Sequence, residues 1–172
     1  MLTKGKIMSG LRRLGEELKE LGMNGEILLT GGAAMCLVHS ARDMTKDVDA
    51  LYEPKSEINR LVKLIAEQEG LPEDWLNDGV KGFIVANAPS EEFITLDGLK
   101  ISVVTPEYLL AMKLMSVRYG EKDADDVRFL MDKLELKTAD EAFDLLTRYY
   151  PENRILPKTM YIVQEYFSKQ QD

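Results

Sequence analysis

Two aspartates separated by a single residue, Asp47 and Asp49, are the side chains of this sequence best suited to metal-dependent chemistry. On a β-strand, residues i and i+2 project from the same face, so the two carboxylates would lie side by side. Carboxylates held this close repel each other unless a cation lies between them. Mg²⁺ (or Mn²⁺) suits such a pair because water and phosphate oxygens complete its octahedral shell. The spacing therefore predicts a metal site at Asp47 and Asp49.

A glycine pair, Gly31-Gly32, lies between the apolar run Glu26–Thr30 and the segment Ala33–His39. The apolar run predicts a buried strand, and Ala33–His39 predicts a short buried helix. Neither glycine carries a Cβ, so the turn is tight and a ligand can come close to its backbone. A helix N-terminus behind such a turn binds anions. An anion site beside a metal site is what a nucleoside triphosphate requires, and two metals can clamp the reacting oxygens.

Arg42 and Lys46 stand close in sequence to the two aspartates. Either cation could contact phosphate oxygens, and the guanidinium of Arg42 can do so through two parallel hydrogen bonds. The alternative is that both merely offset the acidic charge on an exposed loop. His39 is the only histidine in the chain, so a metal site built on several histidines is excluded.

The order strand, Gly-Gly turn, helix and Asp-x-Asp strand resembles the nucleotidyltransferase superfamily. The resemblance is closest to the AbiEii-like branch, which includes toxins of bacterial toxin–antitoxin and abortive-infection systems. That branch also carries a lysine on a later helix, followed by a segment with the pattern basic-Asp-x-x-Asp. Lys113 matches the lysine, and Lys122–Asp126 matches the segment. The resemblance covers Glu26 to Leu130.

This resemblance implies transfer of a nucleotidyl group from an NTP to an acceptor hydroxyl, with Mg²⁺ held by Asp47 and Asp49. It implies that Lys113 neutralises charge on the phosphates, and that Asp123 or Asp126 completes the polar wall or orients the acceptor. In the AbiEii-like branch the acceptor is a tRNA or a protein. A cognate antitoxin or regulator is a further implied partner.

From its sequence neighbours alone, Lys113 has a second interpretation. It lies among apolar residues of a predicted helix, Leu110, Met112 and Leu114. A lysine there either extends its amine to water or points into a polar cleft. If it points into the cleft, we expect Lys113→Ala to weaken nucleotide binding with little change in melting temperature.

The superfamily usually carries a third carboxylate on a strand that follows the Asp-x-Asp strand. The predicted strand Leu99–Val104 has no acid, and Asp97 falls in the turn that precedes it. Glu91 and Glu92 are alternatives at the start of an earlier strand. The missing acid supports a second hypothesis, a catalytically degenerate module that binds a nucleotide or a partner without turnover.

The amino-acid composition excludes several classes of protein. The net charge of −8 argues against a broad electrostatic grip on nucleic acid. Cys36 is the only cysteine, which excludes an internal disulfide and fits a reducing cytoplasm. No apolar run reaches the roughly 18 residues of a membrane span, so a cytoplasmic location without membrane contact is expected.

The chain predicts an α/β (α+β) fold, a small mixed sheet flanked by helices with a helical bundle at its C-terminal end. We place the nucleotidyltransferase-like core at residues 1–104 and the helical region at 105–172. A short helix is predicted at 72–78, where Trp75 would either anchor the core or stack on a base. A strand is predicted at 83–88, a hairpin turn at Asp97-Gly98, and helices start at Thr105 and Thr138.

Overall fold

A computed structural model of the protein describes residues 1–116 and 121–169, without the side chains of residues 121 and 122. Contacts divide the chain into two compact units, Met1–Val104 and Thr105–Asp172. The first unit contains both types of secondary structure, and its regular elements in chain order are β1 (Leu2–Thr3), α1 (Lys4–Glu20), β2 (Gly25–Leu29), α2 (Gly31–Leu37), β3 (Met44–Thr45), β4 (Val48–Glu53), α3 (Lys55–Glu69), β5 (Leu76–Asn77), β6 (Ser90–Leu96) and β7 (Leu99–Val104).

The central sheet of the first unit is mixed, with the strand order β5-β4-β2-β7-β6. Strand β4 runs antiparallel to β2 and parallel to β5, while β7 runs parallel to β2 and antiparallel to β6. Strands β1 and β3 form a separate antiparallel pair. A mixed sheet with flanking helices confirms the predicted fold class.

The two faces of this sheet differ in burial. Val48, Ala50 and Tyr52 of β4 are buried, while the alternate residues Asp49 and Leu51 are half-buried. Helices α1 and α3 pack against each other and against strands of the sheet, and they cover the buried face. The opposite face, which carries Asp49 and Leu51, is called the outer face below. Strict alternation along β4 is why a single strand can anchor the core and still present a carboxylate.

The hairpin predicted at Asp97-Gly98 is confirmed, because β6 and β7 pair directly on either side of it. Gly98 has φ +75°, a left-handed conformation that glycine adopts without strain. The carboxylate of Asp97 contacts the amine of Lys19 on α1, which ties the hairpin to the helix.

Two local predictions are wrong. Residues 72–78 form a turn and the short strand β5 rather than a helix, because Leu76 and Asn77 pair with Val48 and Asp49. Residues 83–88 contain no strand; a short 3-10 helix, Gly79–Gly82, precedes them. At residues 76 and 77, a long-range pairing overrides local propensity.

Trp75 anchors the core, so the alternative of stacking on a base is wrong. Its side chain is fully buried, and its indole Nε1 donates a hydrogen bond to the carbonyl of Val62 at 3.2 Å. The ring lies against Gly10 of α1, where a Cβ would come within 2.9 Å of it. A tryptophan in this position has no face left for a base.

The second unit is helical, with α4 (Pro106–Ser116), α5 (Glu121–Lys133), α6 (Ala139–Thr147) and α7 (Pro157–Ser168). The predicted caps are confirmed: the backbone N–H of Tyr108 donates to Thr105 Oγ1, and that of Glu141 donates to Thr138 Oγ1. Tyr108 and Tyr149 pack edge to face in its core, with ring centroids 5.1 Å apart. None of the helices in the described ranges is long and apolar enough to cross a lipid bilayer.

Candidate functional site

The turn between β2 and α2 is bonded to the backbone of Asp49. The N–H of Thr30 donates to the carbonyl of Asp49 at 3.0 Å, and the hydroxyl of Thr30 donates to the same oxygen at 3.1 Å. Gly31 follows with φ +56° and opens α2, two residues earlier than predicted. The start of α2 is therefore fixed against the strand that carries the candidate metal ligand.

Both glycines of the turn have a steric reason to be glycine. A Cβ on Gly31 would lie 3.1 Å from Oδ2 of Asp49. A Cβ on Gly32 would overlap the hydroxyl of Thr45 and lie 3.3 Å from a guanidinium nitrogen of Arg42. The turn consequently brings the carboxylate of Asp49 and the guanidinium of Arg42 against the first two residues of α2.

We expect Gly31→Ala to lower both stability and ligand binding. Alanine at φ +56° is strained by about 1–3 kcal/mol, and its methyl group would push against the carboxylate of Asp49. Gly70→Ala is a matched control, because Gly70 has φ +66° and no neighbour within 4 Å of an added Cβ. Urea unfolding should show a similar loss for both variants, and only Gly31→Ala should weaken binding of an Mn²⁺–nucleotide complex. Equal binding by both variants would contradict a ligand role for this turn.

Asp47 lies immediately before β4, which begins at Val48 and ends at Glu53 rather than spanning Asp47–Tyr52. Asp47 and Asp49 are both half-buried, while Val48 between them is fully buried. Lys46 is exposed. This burial pattern agrees with two carboxylates on the side of the chain that faces away from the core.

The available donors fit a divalent ion that keeps part of its hydration shell. Within residues 1–116 and 121–169, no group of three or more His, Cys, Asp or Glu side chains is placed to hold a metal ion. Two carboxylates from Asp47 and Asp49 suffice for Mg²⁺, which usually takes one or two protein carboxylates together with water and substrate phosphates. Burial raises the pKa of the Cys36 thiol, which disfavours the thiolate needed for a metal ligand.

A groove of about 510 Å³ runs along the outer face of the sheet, within the first unit. Leu28 and Leu51 contribute apolar surface, and Leu51 lies two residues beyond Asp49 on the same face of β4. The charged residues that line the groove are of both signs, namely Glu26, Glu53, Lys55, Asp78, Lys81 and Lys100. Its size falls within the range of small-molecule sites.

Asp78 links two of the lysines of this groove. Its carboxylate contacts the amine of Lys55, and Lys81 Nζ lies 3.7 Å from it. The hydrogen bond from Lys55 lowers the pKa of Asp78 and raises that of Lys55 in turn. Burial, assisted by the nearby charge of Asp78, raises the pKa of Tyr52. At this end of the groove, the two lysines therefore share one carboxylate rather than forming a free cationic patch.

The second unit brings together the other three predicted site residues. Nζ of Lys113 lies 2.9 Å from Oδ1 of Asp123 and 2.7 Å from Oδ2 of Asp126. The side chains of Lys113 and Asp126 are only 10% and 5% exposed, whereas that of Asp123 is 37% exposed. The interpretation in which Lys113 extends its amine to water is wrong, because the amine contacts two carboxylates. The side chain of Lys122, the basic member of the predicted segment, lies outside the described residues.

Comparison with known families gives one match. A family model described as a nucleotidyltransferase of unknown function (DUF6036) matches residues 9–166, which include most of both units. The chain belongs to the DUF6036 family. Neither the search of curated proteins nor the search of solved structures gave a match. Membership of DUF6036 confirms the resemblance at the level of nucleotidyltransferases, and the AbiEii-like branch stays a prediction.

In this DUF6036 chain, the two strands considered for a third acid are not neighbours of β4. Strand β7 pairs with β2 and not with β4, and β6, which carries Glu91 and Glu92, lies one strand further away. The strand on the free side of β4 is β5, whose Asn77 pairs with Asp49. The sequence alone did not single out Asn77, because the two-residue strand β5 is recognisable only from its pairing with β4.

Proposed function

We propose that this DUF6036 protein is a Mg²⁺- or Mn²⁺-dependent nucleotidyltransferase that moves a nucleotidyl group from an NTP to an acceptor hydroxyl. The observation that carries the proposal is the position of the Asp49 carboxylate, against the glycine turn that opens α2. Asp47 and Asp49 would hold the divalent ion, which supplies charge neutralisation on the triphosphate when bound. The proposal therefore sets an anion site beside the carboxylate pair, within the first unit.

The phosphate cradle consists of backbone donors and one guanidinium. The first N–H groups of a helix have no partner within the helix, so those at Gly31 and Gly32 are positioned to bind phosphate oxygens. Arg42, whose guanidinium lies beside Gly32, adds a cation that can hydrogen-bond two oxygens at once. Lys46 is exposed and contributes to this cradle as a second cation.

The groove of the outer face is the place for the nucleoside or the acceptor group. It includes Leu51 and therefore adjoins Asp49 on the side away from the Gly31–Gly32 turn. Its half-buried leucines offer an apolar surface to a flat ring, and its charged residues offer hydrogen-bond partners of both kinds. Neither carboxylate lines the groove, so a ligand in it would have to extend past Leu51 to bring its reacting atom to Asp49.

The resemblance is the basis for adding three residues of the second unit to the proposed catalytic set, namely Lys113, Asp123 and Asp126. An ammonium group has three N–H donors, and the two carboxylates near Lys113 accept two of them. By the same resemblance, we assign Lys113 to charge neutralisation on the phosphates. Asp123, which is the more exposed of the two acids, is the better candidate for orienting an acceptor hydroxyl.

The acceptor and the biological partner are proposed on the resemblance to the AbiEii-like branch. We propose a tRNA or a protein as the acceptor, and a cognate antitoxin or regulator as the binding partner. The second candidate function is a degenerate module that binds a nucleotide without turnover. The neutral side chain of Asn77 beside Asp49 is the observation that favours it.

One experiment separates these functions. The full chain is incubated with each labelled NTP, Mg²⁺ and either bulk tRNA or cell extract, and label on macromolecules is measured. A nucleotidyltransferase transfers label, and Asp47→Ala/Asp49→Ala protein does not. Equal labelling by that variant would show that the assigned site is wrong. Tight nucleotide binding with no labelled acceptor would favour the degenerate module.

A further inference from the structure

Strand β5 places one polar side chain directly beside Asp49. The parallel register pairs Leu76 with Val48 and Asn77 with Asp49. Neighbouring strands lie about 4.8 Å apart, and paired residues project from the same face. Burial agrees with this, since Leu76 and Val48 are buried while Asn77 and Asp49 are half-buried. Asn77 is therefore the neighbour of Asp49 on the outer face.

A strand of only two residues needs other contacts to hold it. The residue before it, Trp75, is fully buried, and its indole is hydrogen-bonded to the carbonyl of Val62. The backbone N–H of Val48 donates to the carbonyl of Trp75 at 2.7 Å. These contacts fix β5 against β4, so the position of Asn77 next to Asp49 is a rigid feature of the fold.

The amide group of Asn77 is also oriented. Its Oδ1 accepts a hydrogen bond from the backbone N–H of Gly79 at 3.0 Å. The other end of the amide is Nδ2, which carries two N–H donors and no charge. A neutral donor thus occupies the strand position next to the Asp49 carboxylate.

We infer that the neutral side chain of Asn77, at the strand position paired with Asp49, limits the metal site to two carboxylates. This inference rests on the proposed function. Asn77 fills the strand position paired with Asp49 without adding negative charge. Affinity for a divalent ion rises with the number of charged ligands. The site therefore binds the free ion weakly and binds it tightly only together with the triphosphate oxygens, so that ion and nucleotide enter as one complex.

The test is Mn²⁺ binding to the purified full chain, measured by electron paramagnetic resonance with and without each NTP. Asn77→Asp keeps an oxygen to accept from Gly79 and replaces the NH₂ group with a second oxygen. We expect this variant to bind Mn²⁺ alone at least about tenfold more tightly than wild type. Asn24→Asp is the matched control, because Asn24 is exposed and precedes β2 at the end away from Thr30.

Two further variants keep the outcomes distinct. Asp49→Asn/Asn77→Asp moves one carboxylate to the neighbouring strand, and we expect it to recover part of the Mn²⁺ affinity lost in Asp49→Asn. Folded Asn77→Asp protein with wild-type or weaker affinity for Mn²⁺ alone would overturn the inference, because Asn77 would then serve only the turn to Gly79. If Asp49→Asn leaves binding of Mn²⁺ with NTP unchanged, the proposed function fails instead.

Discussion

Asp49→Asn protein is expected to bind an Mn²⁺–nucleotide complex at least about tenfold more weakly than wild type, a loss of about 1.4 kcal/mol. Asparagine has nearly the shape of aspartate, so the packing against Gly31 is kept while one charged ligand is lost. The carboxylate lies close to the α2 turn, where a Cβ on Gly31 would be 3.1 Å from its Oδ2. Binding of the ion and binding of the phosphates are therefore expected to weaken together. Isothermal titration with each NTP measures the effect.

Asp97→Asn is the matched control for this prediction. Asp97 belongs to the same unit, but it lies in the hairpin turn and contacts Lys19 on α1. Its removal changes the net charge by the same amount, and an exposed ion pair contributes only about 0–1 kcal/mol to stability. Equal weakening in the two variants would indicate a general charge effect and would remove Asp49 from the metal site.

Lys113→Ala is expected to lower the free energy of unfolding by about 3–5 kcal/mol, because it removes one member of a buried ion pair. The side chain of Asp126 is only 5% exposed and lies 2.7 Å from Nζ of Lys113. These contacts lead to a result different from the nearly unchanged melting temperature expected from the sequence alone. Urea unfolding at neutral pH, followed by circular dichroism, measures the difference.

Two variants show whether the loss of stability comes from breaking the buried ion pair. Lys133→Ala removes an exposed lysine from the last turn of α5, and its stability should stay within about 0.5 kcal/mol of wild type. Lys113→Met/Asp126→Leu replaces the buried pair with apolar side chains, an exchange that is often neutral, and should recover most of the loss. A Lys113→Ala protein as stable as wild type would show that the pair does not hold α4 against α5.

Local signals in the sequence predicted much of the first unit and the caps of the second. The turn at Asp97-Gly98 and the capping hydroxyls of Thr105 and Thr138 are found as predicted. Each of these features depends on residues within about four positions of one another, because turns and caps are formed by local hydrogen bonds. The placement of Asp49 beside the glycine turn spans a longer segment, because it depends on the pairing of β2 with β4.

Only the tertiary structure decided what lies beside these residues. Strand β5 has two residues and no strand pattern of its own. It forms because it pairs with β4, from which α3 separates it along the chain. This pairing makes Asn77 the neighbour of Asp49. Lys113 likewise looks from its own helix like a lysine that extends to water, and packing of α5 gives it Asp123 and Asp126 instead. Residue types and short spacings determined which chemistry this chain can support, because they act through local geometry. Long-range packing determined the charge around each group, because contacts between distant segments leave no periodic trace in the sequence.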